Sequence, residues 1–174
     1  MNNLREDLEK LPKDELLDYI EDISKNWLAI DGTWFQAVEK KFGLETAIKC
    51  DAESWKVYTV VEAKRIMQRF KIPDNGGITA LIKALKFRVY ANINTQEIVE
   101  VSDNRCVFRM IDCRVQSARK RKSLPDFPCK EVALEEYINF AKTIDPKIET
   151  KCICCPPDPH PDNYYCAWEF TLKE

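Results

Sequence analysis

Apolar positions in the first half of the chain recur at spacings of three and four. Leu16, Ile20, Ile23, Trp27, Ile30, Trp34 and Val38 make one such series, which predicts a long amphipathic helix. Pro12 precedes it, Asp14 offers an N-terminal cap, and Gly43 is the expected stop, with Gly32 a weak interior point. A second helix is predicted over 45–70 through Trp55, Tyr58, Val61, Ile66 and Phe70, with a break expected around Asp51. Pro73 and Asn75-Gly76-Gly77 read as a turn, and 78–87 as a short third helix.

The period then shortens. Residues 88–94, 97–101 and 105–115 are rich in β-branched and aromatic side chains and predict strands, with Ser102-Asp103-Asn104 as a hairpin turn. Residues 119–128 read as a basic, proline-punctuated connection. Another helix follows over 130–144, then two hairpin arms at 148–154 and 164–172. Helices first and antiparallel strands later indicate an α+β fold. An N-terminal helical layer packs on an antiparallel sheet, closed by a cysteine-rich C-terminal hairpin. No repeat or linker interrupts the pattern, so residues 1–174 are expected to form a single domain, helical to about 87 and sheet-bearing beyond.

Composition narrows the function classes. Lys and Arg total 27 against 29 Asp and Glu, a net charge of −2 that argues against a nucleic-acid partner. The four glycines cannot be written into either standard phosphate-binding loop. No signal-peptide pattern follows Met1 and no stretch is apolar enough to span a membrane. A cytoplasmic protein without a membrane partner is therefore expected. In that compartment thiols stay reduced, and clustered cysteines point to metal or chemistry before disulfides.

Eight cysteines in this length are the unusual feature. Cys50, Cys106 and Cys113 are scattered, whereas Cys129, Cys152, Cys154, Cys155 and Cys166 crowd the C-terminal part. Two residues between Cys152 and Cys155 allow both thiolates to reach one ion, and Cys129 and Cys166 complete a set of four for tetrahedral zinc. Glu149, His160 and Cys154 are alternative ligands, and an iron–sulfur cluster is the alternative cofactor. His160, the single histidine, is flanked by Asp158 and Asp162 as candidate orienting partners.

Several segments resemble an uncharacterised family of prokaryotic cytosolic proteins. They are Phe127-Pro128-Cys129-Lys130, Ile144-Asp145-Pro146, Cys152-x-x-Cys155-Pro156-Pro157-Asp158-x-His160-Pro161 and Cys166-Ala167-Trp168-Glu169-Phe170. Asp31-Gly32-x-Trp34-Phe35-x-x-Val38-Glu39 is similar to that family as well. More distantly, Glu149-x-x-Cys152 followed by Cys166 looks like the end of four-vinyl reductase domains, some of which are small-molecule sensors. That resemblance implies Cys129, Glu149, Cys152 and Cys166 as zinc ligands, whereas the longer intercysteine loop here favours Cys155 over Glu149. Cys166-x-Trp168 is also similar to the end of thiazoline-carboxylate hydrolase-like proteins.

The leading expectation is a zinc-stabilised, non-catalytic module binding a small organic ligand. The alternative is a metal- or cysteine-dependent hydrolase of a small organic substrate. Trp27, Asp31, Trp34 and Trp55 on the helices, with Arg109 and Arg114 on the sheet side, are the expected ligand-binding residues. An aromatic-walled pocket with a cationic end would suit a carboxylate. A sensor of this size, lacking an output domain, would act through a protein partner or a homodimer.

Overall fold

Gly43 separates the two longest helices. Its φ of 85° is in the range that favours glycine, and its amide bonds the Glu39 carbonyl at 2.8 Å. In a computed structural model describing residues 4–173, these helices are α2 (Lys13–Phe42) and α3 (Leu44–Phe70), preceded by the short α1 (Leu4–Leu8). Met1 to Asn3, where the signal-peptide reading began, and Glu174 lie outside the described residues.

Pro12, not Asp14, occupies the cap position of α2. Asp14 and Glu15 lie in the first turn, where carboxylates oppose the helix dipole favourably. Gly32 passes inside the helix without a break. The expected break in α3 at Asp51 is also absent, because Asp51 lies on the buried stripe of that helix with Ala47, Trp55 and Ile66. After the turn, Gly77 at φ 61° gives its amide to the Asp145 carboxylate at 3.1 Å and opens α4 (Gly77–Leu85).

The expected first strand at 88–94 is instead a 3-10 turn, Val89–Asn92. The Arg88 guanidinium, 2% exposed, meets Glu62 at 3.0 Å and Glu136 at 2.6 Å, and the Val89 amide bonds the Glu62 carboxylate at 2.8 Å. These partners hold the backbone in a turn and remove a donor that a ladder would need, so local β-propensity loses to buried charge pairing. The strands are β1 (Thr95–Val99), β2 (Arg105–Asp112), β3 (Ile148–Cys154) and β4 (Cys166–Leu172). Between β2 and β3 run α5 (Arg114–Arg121) and α6 (Lys130–Ile144). The basic run expected as an irregular connection is thus mostly the last turn of α5, where cations suit the helix C-terminus. The strand predicted to reach 115 stops at Asp112, and the Arg114 amide bonds the Asn94 side chain at 2.9 Å.

The four strands form one antiparallel sheet in the order β1-β2-β4-β3. Alternation sends Cys106, Phe108 and Met110 of β2, with Cys166, Trp168 and Phe170 of β4, to one face. Helix α6 covers that face with Tyr137, Phe140 and Ile144, and Tyr137 stacks on Trp168 at 4.8 Å. Full burial of such side chains contributes about 1.5–3 kcal/mol each. Helix α4 joins this core through Ile78, Leu81 and Leu85, α3 lies on α6, and α2 lies outermost, on α3 and the 3-10 turn. The mixed α+β architecture is as the sequence predicts, but the main helix on the sheet is the C-terminal α6.

A cavity between an acidic pair and a thiol cluster

The helix layering leaves a space where α2, α3, α5 and α6 converge near the cysteine-rich hairpin. An inner part of about 110 Å³ continues into an outer part of about 360 Å³, the two sharing Leu28, Asp31, Asp51, Arg114, Val115 and Phe127 in their walls. Trp55, Tyr90, Tyr137 and Phe127 make the inner walls largely aromatic. Behind them Trp27 stacks on Tyr58 at 5.1 Å and meets Trp55 edge-on at 5.6 Å, so it buttresses the wall without lining it.

Two carboxylates, Asp31 and Asp51, stand in the wall common to both parts. Asp31 accepts a hydrogen bond from the Tyr90 hydroxyl at 3.2 Å; burial raises its pKa and that bond lowers it. Asp51 is only 8% exposed, and burial, reinforced by the Asp31 and Glu136 charges, pushes its carboxyl up to about 7. Glu136 also lines the inner part. Burial raises its pKa while Arg88 opposes that shift.

The inner part alone carries a group of thiols. Cys129, Cys155, Cys166 and Cys113 all line the inner cavity. The Cys129 and Cys155 sulfurs are 3.6 Å apart, Cys166 is a second hydrogen-bonding neighbour of Cys155, and Gln116 donates to the Cys129 sulfur at 3.5 Å. The bond from Cys155 lowers the Cys129 pKa and keeps the proton on Cys155. Burial pushes Cys113 up to about 12 and Cys152 up to about 11.

Strand register explains which cysteines converge. Cys152 pairs with Trp168 and so faces the core, but the register shifts before Cys154, which pairs with Ala167 on the opposite face. The shift turns Cys155 back inward, where it is fully buried. Cys129 reaches the same place from the N-terminal end of α6, where the Lys130 amide bonds the Pro156 carbonyl at 2.9 Å.

Of the expected metal ligands, Cys129, Cys155 and Cys166 come together, while Cys152 stands on the same sheet face outside the cavity lining. The alternates lie elsewhere. Glu149 is 65% exposed and paired with Lys173 at 3.0 Å; Cys154 faces away. His160 bonds Asp126 at 3.0 Å, not the flanking carboxylates expected to orient it, and Asp158 is paired with Lys130 at 2.6 Å. Among the described residues, no group of three or more His, Cys, Asp or Glu side chains is arranged as a ready metal cage, and all eight cysteines are free.

Of the expected ligand-binding residues, Asp31, Trp55 and Arg114 line the cavity. Trp34 is 49% exposed on α2 and takes no part. Arg109 is on the other face of the sheet, because Met110 takes the inward position. It lies over the Tyr164 ring at 5.3 Å and near Glu97 and Glu100, each at 3.8 Å. Sequence reasoning missed Asp51 and Cys113. For Asp51 the signal was present: a carboxylate at helical spacing from Ala47 and Trp55, inside an apolar stripe.

The site is therefore an aromatic-walled cavity in an α+β fold, with two carboxylates where its parts meet and thiols lining the inner part. The chain belongs to DUF6125, a family of unknown function whose model matches residues 9–172. No curated protein and no solved structure matches it.

Proposed function

We propose that the protein is a non-catalytic small-molecule-binding domain, with zinc held by the thiols at the inner end of the cavity. The observation that carries this reading is the cavity itself, which reaches from Asp31 and Asp51 to Cys129, Cys155 and Cys166. One distance in the donor set supports the metal. Two thiolates bound at about 2.3 Å to one tetrahedral ion stand about 3.8 Å apart, and Cys129 and Cys155 are separated by 3.6 Å. Cys152, from the C-x-x-C spacing, and Cys113, from the cavity wall, compete for the fourth position. Four protein ligands make the zinc structural, tying the hairpin to α6. This agrees with the role that the four-vinyl reductase resemblance implies. A reducing, cytoplasmic setting goes with it, since clustered thiols stay available to a metal there. Ile20, Ile23, Ile30 and Trp34 form an exposed apolar stripe on α2 and are the surface for a second copy or protein partner.

Elemental analysis of protein purified without added metal tests the reading. About one zinc per chain is expected, lost in Cys155→Ser and Cys166→Ser and retained in Cys50→Ser. Full occupancy in Cys166→Ser would overturn the ligand set, and a visible charge-transfer band would replace zinc by iron–sulfur. A hydrolase is the second reading, favoured by the lowered pKa of Cys129 and the Asp51 carboxyl near 7 on the same cavity. A bound ligand recovered unchanged after prolonged incubation excludes it; its conversion supports it.

A further inference from the structure

The charges around the cavity do not balance. Inside the helical layer, Arg88 is shared between Glu62 and Glu136. Asp31 and Asp51 add two more carboxylates on the same side, and no basic side chain is among the groups that set the charge state of either. Arg114 lines both parts and Lys122 the outer one, but both are exposed, where water screens them, and Arg119 is turned to the Pro125 carbonyl at 2.6 Å. Asp51 is more than nine-tenths buried and lines both parts of the cavity. Its partner is the Trp55 side chain, which hydrogen-bonds it without neutralising it.

A buried carboxylate is costly without a countercharge, and a cation entering the cavity would meet both acids directly. Trp55, Tyr90 and Phe127 supply aromatic surface beside the two acids. Aromatic faces and carboxylates together attract organic cations and gain nothing from an anion. We propose that the cavity takes a small organic cation, its ammonium or amidinium head between Asp31 and Asp51 and its apolar body against the aromatic wall. This rests on the ligand-binding reading above and reverses the charge of the carboxylate ligand expected from sequence, whose main anchor, Arg109, faces the other way.

Calorimetric titration with three probes of one shape tests it at pH 8: 2-phenylethylammonium, the neutral 2-phenylethanol and the anionic 3-phenylpropanoate. The ammonium should bind about tenfold to a hundredfold tighter than the alcohol, the range of one charge-assisted hydrogen bond. Asp51→Asn, and separately Asp31→Asn, should each reduce that preference, and the double variant should erase it. Equal affinities for ammonium and alcohol would overturn the cation proposal and leave the pocket standing. Tighter binding of the propanoate would overturn it as well. Heat from none of the three would remove the ligand-binding reading itself. The wild-type comparison is decisive even if a variant fails to fold.

Discussion

Two groups of buried charge lie side by side in the helical layer and differ in one respect. Around Arg88 every charge is met: the guanidinium touches both Glu62 and Glu136 and rests over the Tyr137 and Phe140 rings. Burial opposes its charge, but Glu136 and Glu62 outweigh that effect and hold it protonated. Around Asp31 and Asp51 the carboxylates are met only by neutral donors. The first group fixes the turn after α4 and the seating of α6 on α3. The second makes one link between elements, from Asp31 of α2 to Tyr90 of the 3-10 turn, and borders a cavity. Buried charge that is fully paired serves the fold; buried charge left unpaired beside a space marks where a partner belongs.

Breaking the paired group should have the largest effect. Arg88→Met leaves two carboxylates buried without a countercharge and should cost about 3–5 kcal/mol in denaturant unfolding. Next, removing a thiol from the proposed zinc set should matter if metal binding contributes to folding. Cys166→Ser should lower the melting temperature by about 5 °C or more, with chelator having the same effect on the wild type and none on the variant.

The unpaired group should behave in the opposite way. Because the folded state raises the Asp51 pKa to about 7, above its ordinary value near 4, the native protein holds this proton more tightly than the unfolded chain. The contribution to stability is therefore full below about pH 4 and is lost as pH rises through 7. Asp51→Asn should stabilise the protein by about 1–3 kcal/mol at pH 8 and change little at pH 4, measured by urea unfolding at both values. The smallest effect belongs to Arg109. Half-exposed pairs of this kind contribute little, so Arg109→Ala should shift stability by less than about 1 kcal/mol and leave probe binding unaltered.

The same contrast explains what could be read from the sequence. Helical and alternating periodicities located α2, α3, α6 and the two hairpins, because those elements bury one continuous face. They failed at 88–94, where Val89 and Tyr90 have strand-like propensity but Glu62, distant in sequence, claims the backbone. Trp27 and Trp34 look alike in the helical pattern, yet one packs on Trp55 and the other is half-exposed, because α2 meets α3 along only part of its length. The C-terminal cysteines were legible as a cluster, but the register shift that turns Cys154 out and Cys155 in was not, since it depends on pairing with β4. Cys113 looked isolated for the same reason: it reaches the cavity at the junction of β2 and α5, only once the sheet has formed.

Carboxyl-carbon NMR of Asp51 tests the unpaired-charge account most directly. Asp31, Glu136, Tyr90 and Trp55 face it from α2, α6, the 3-10 turn and its own helix; Arg114 of α5, exposed on the same cavity, is not among the groups that shift it. The account predicts a titration midpoint near 7 that falls when 2-phenylethylammonium saturates the protein. A midpoint near 4, unmoved by the amine, would contradict it.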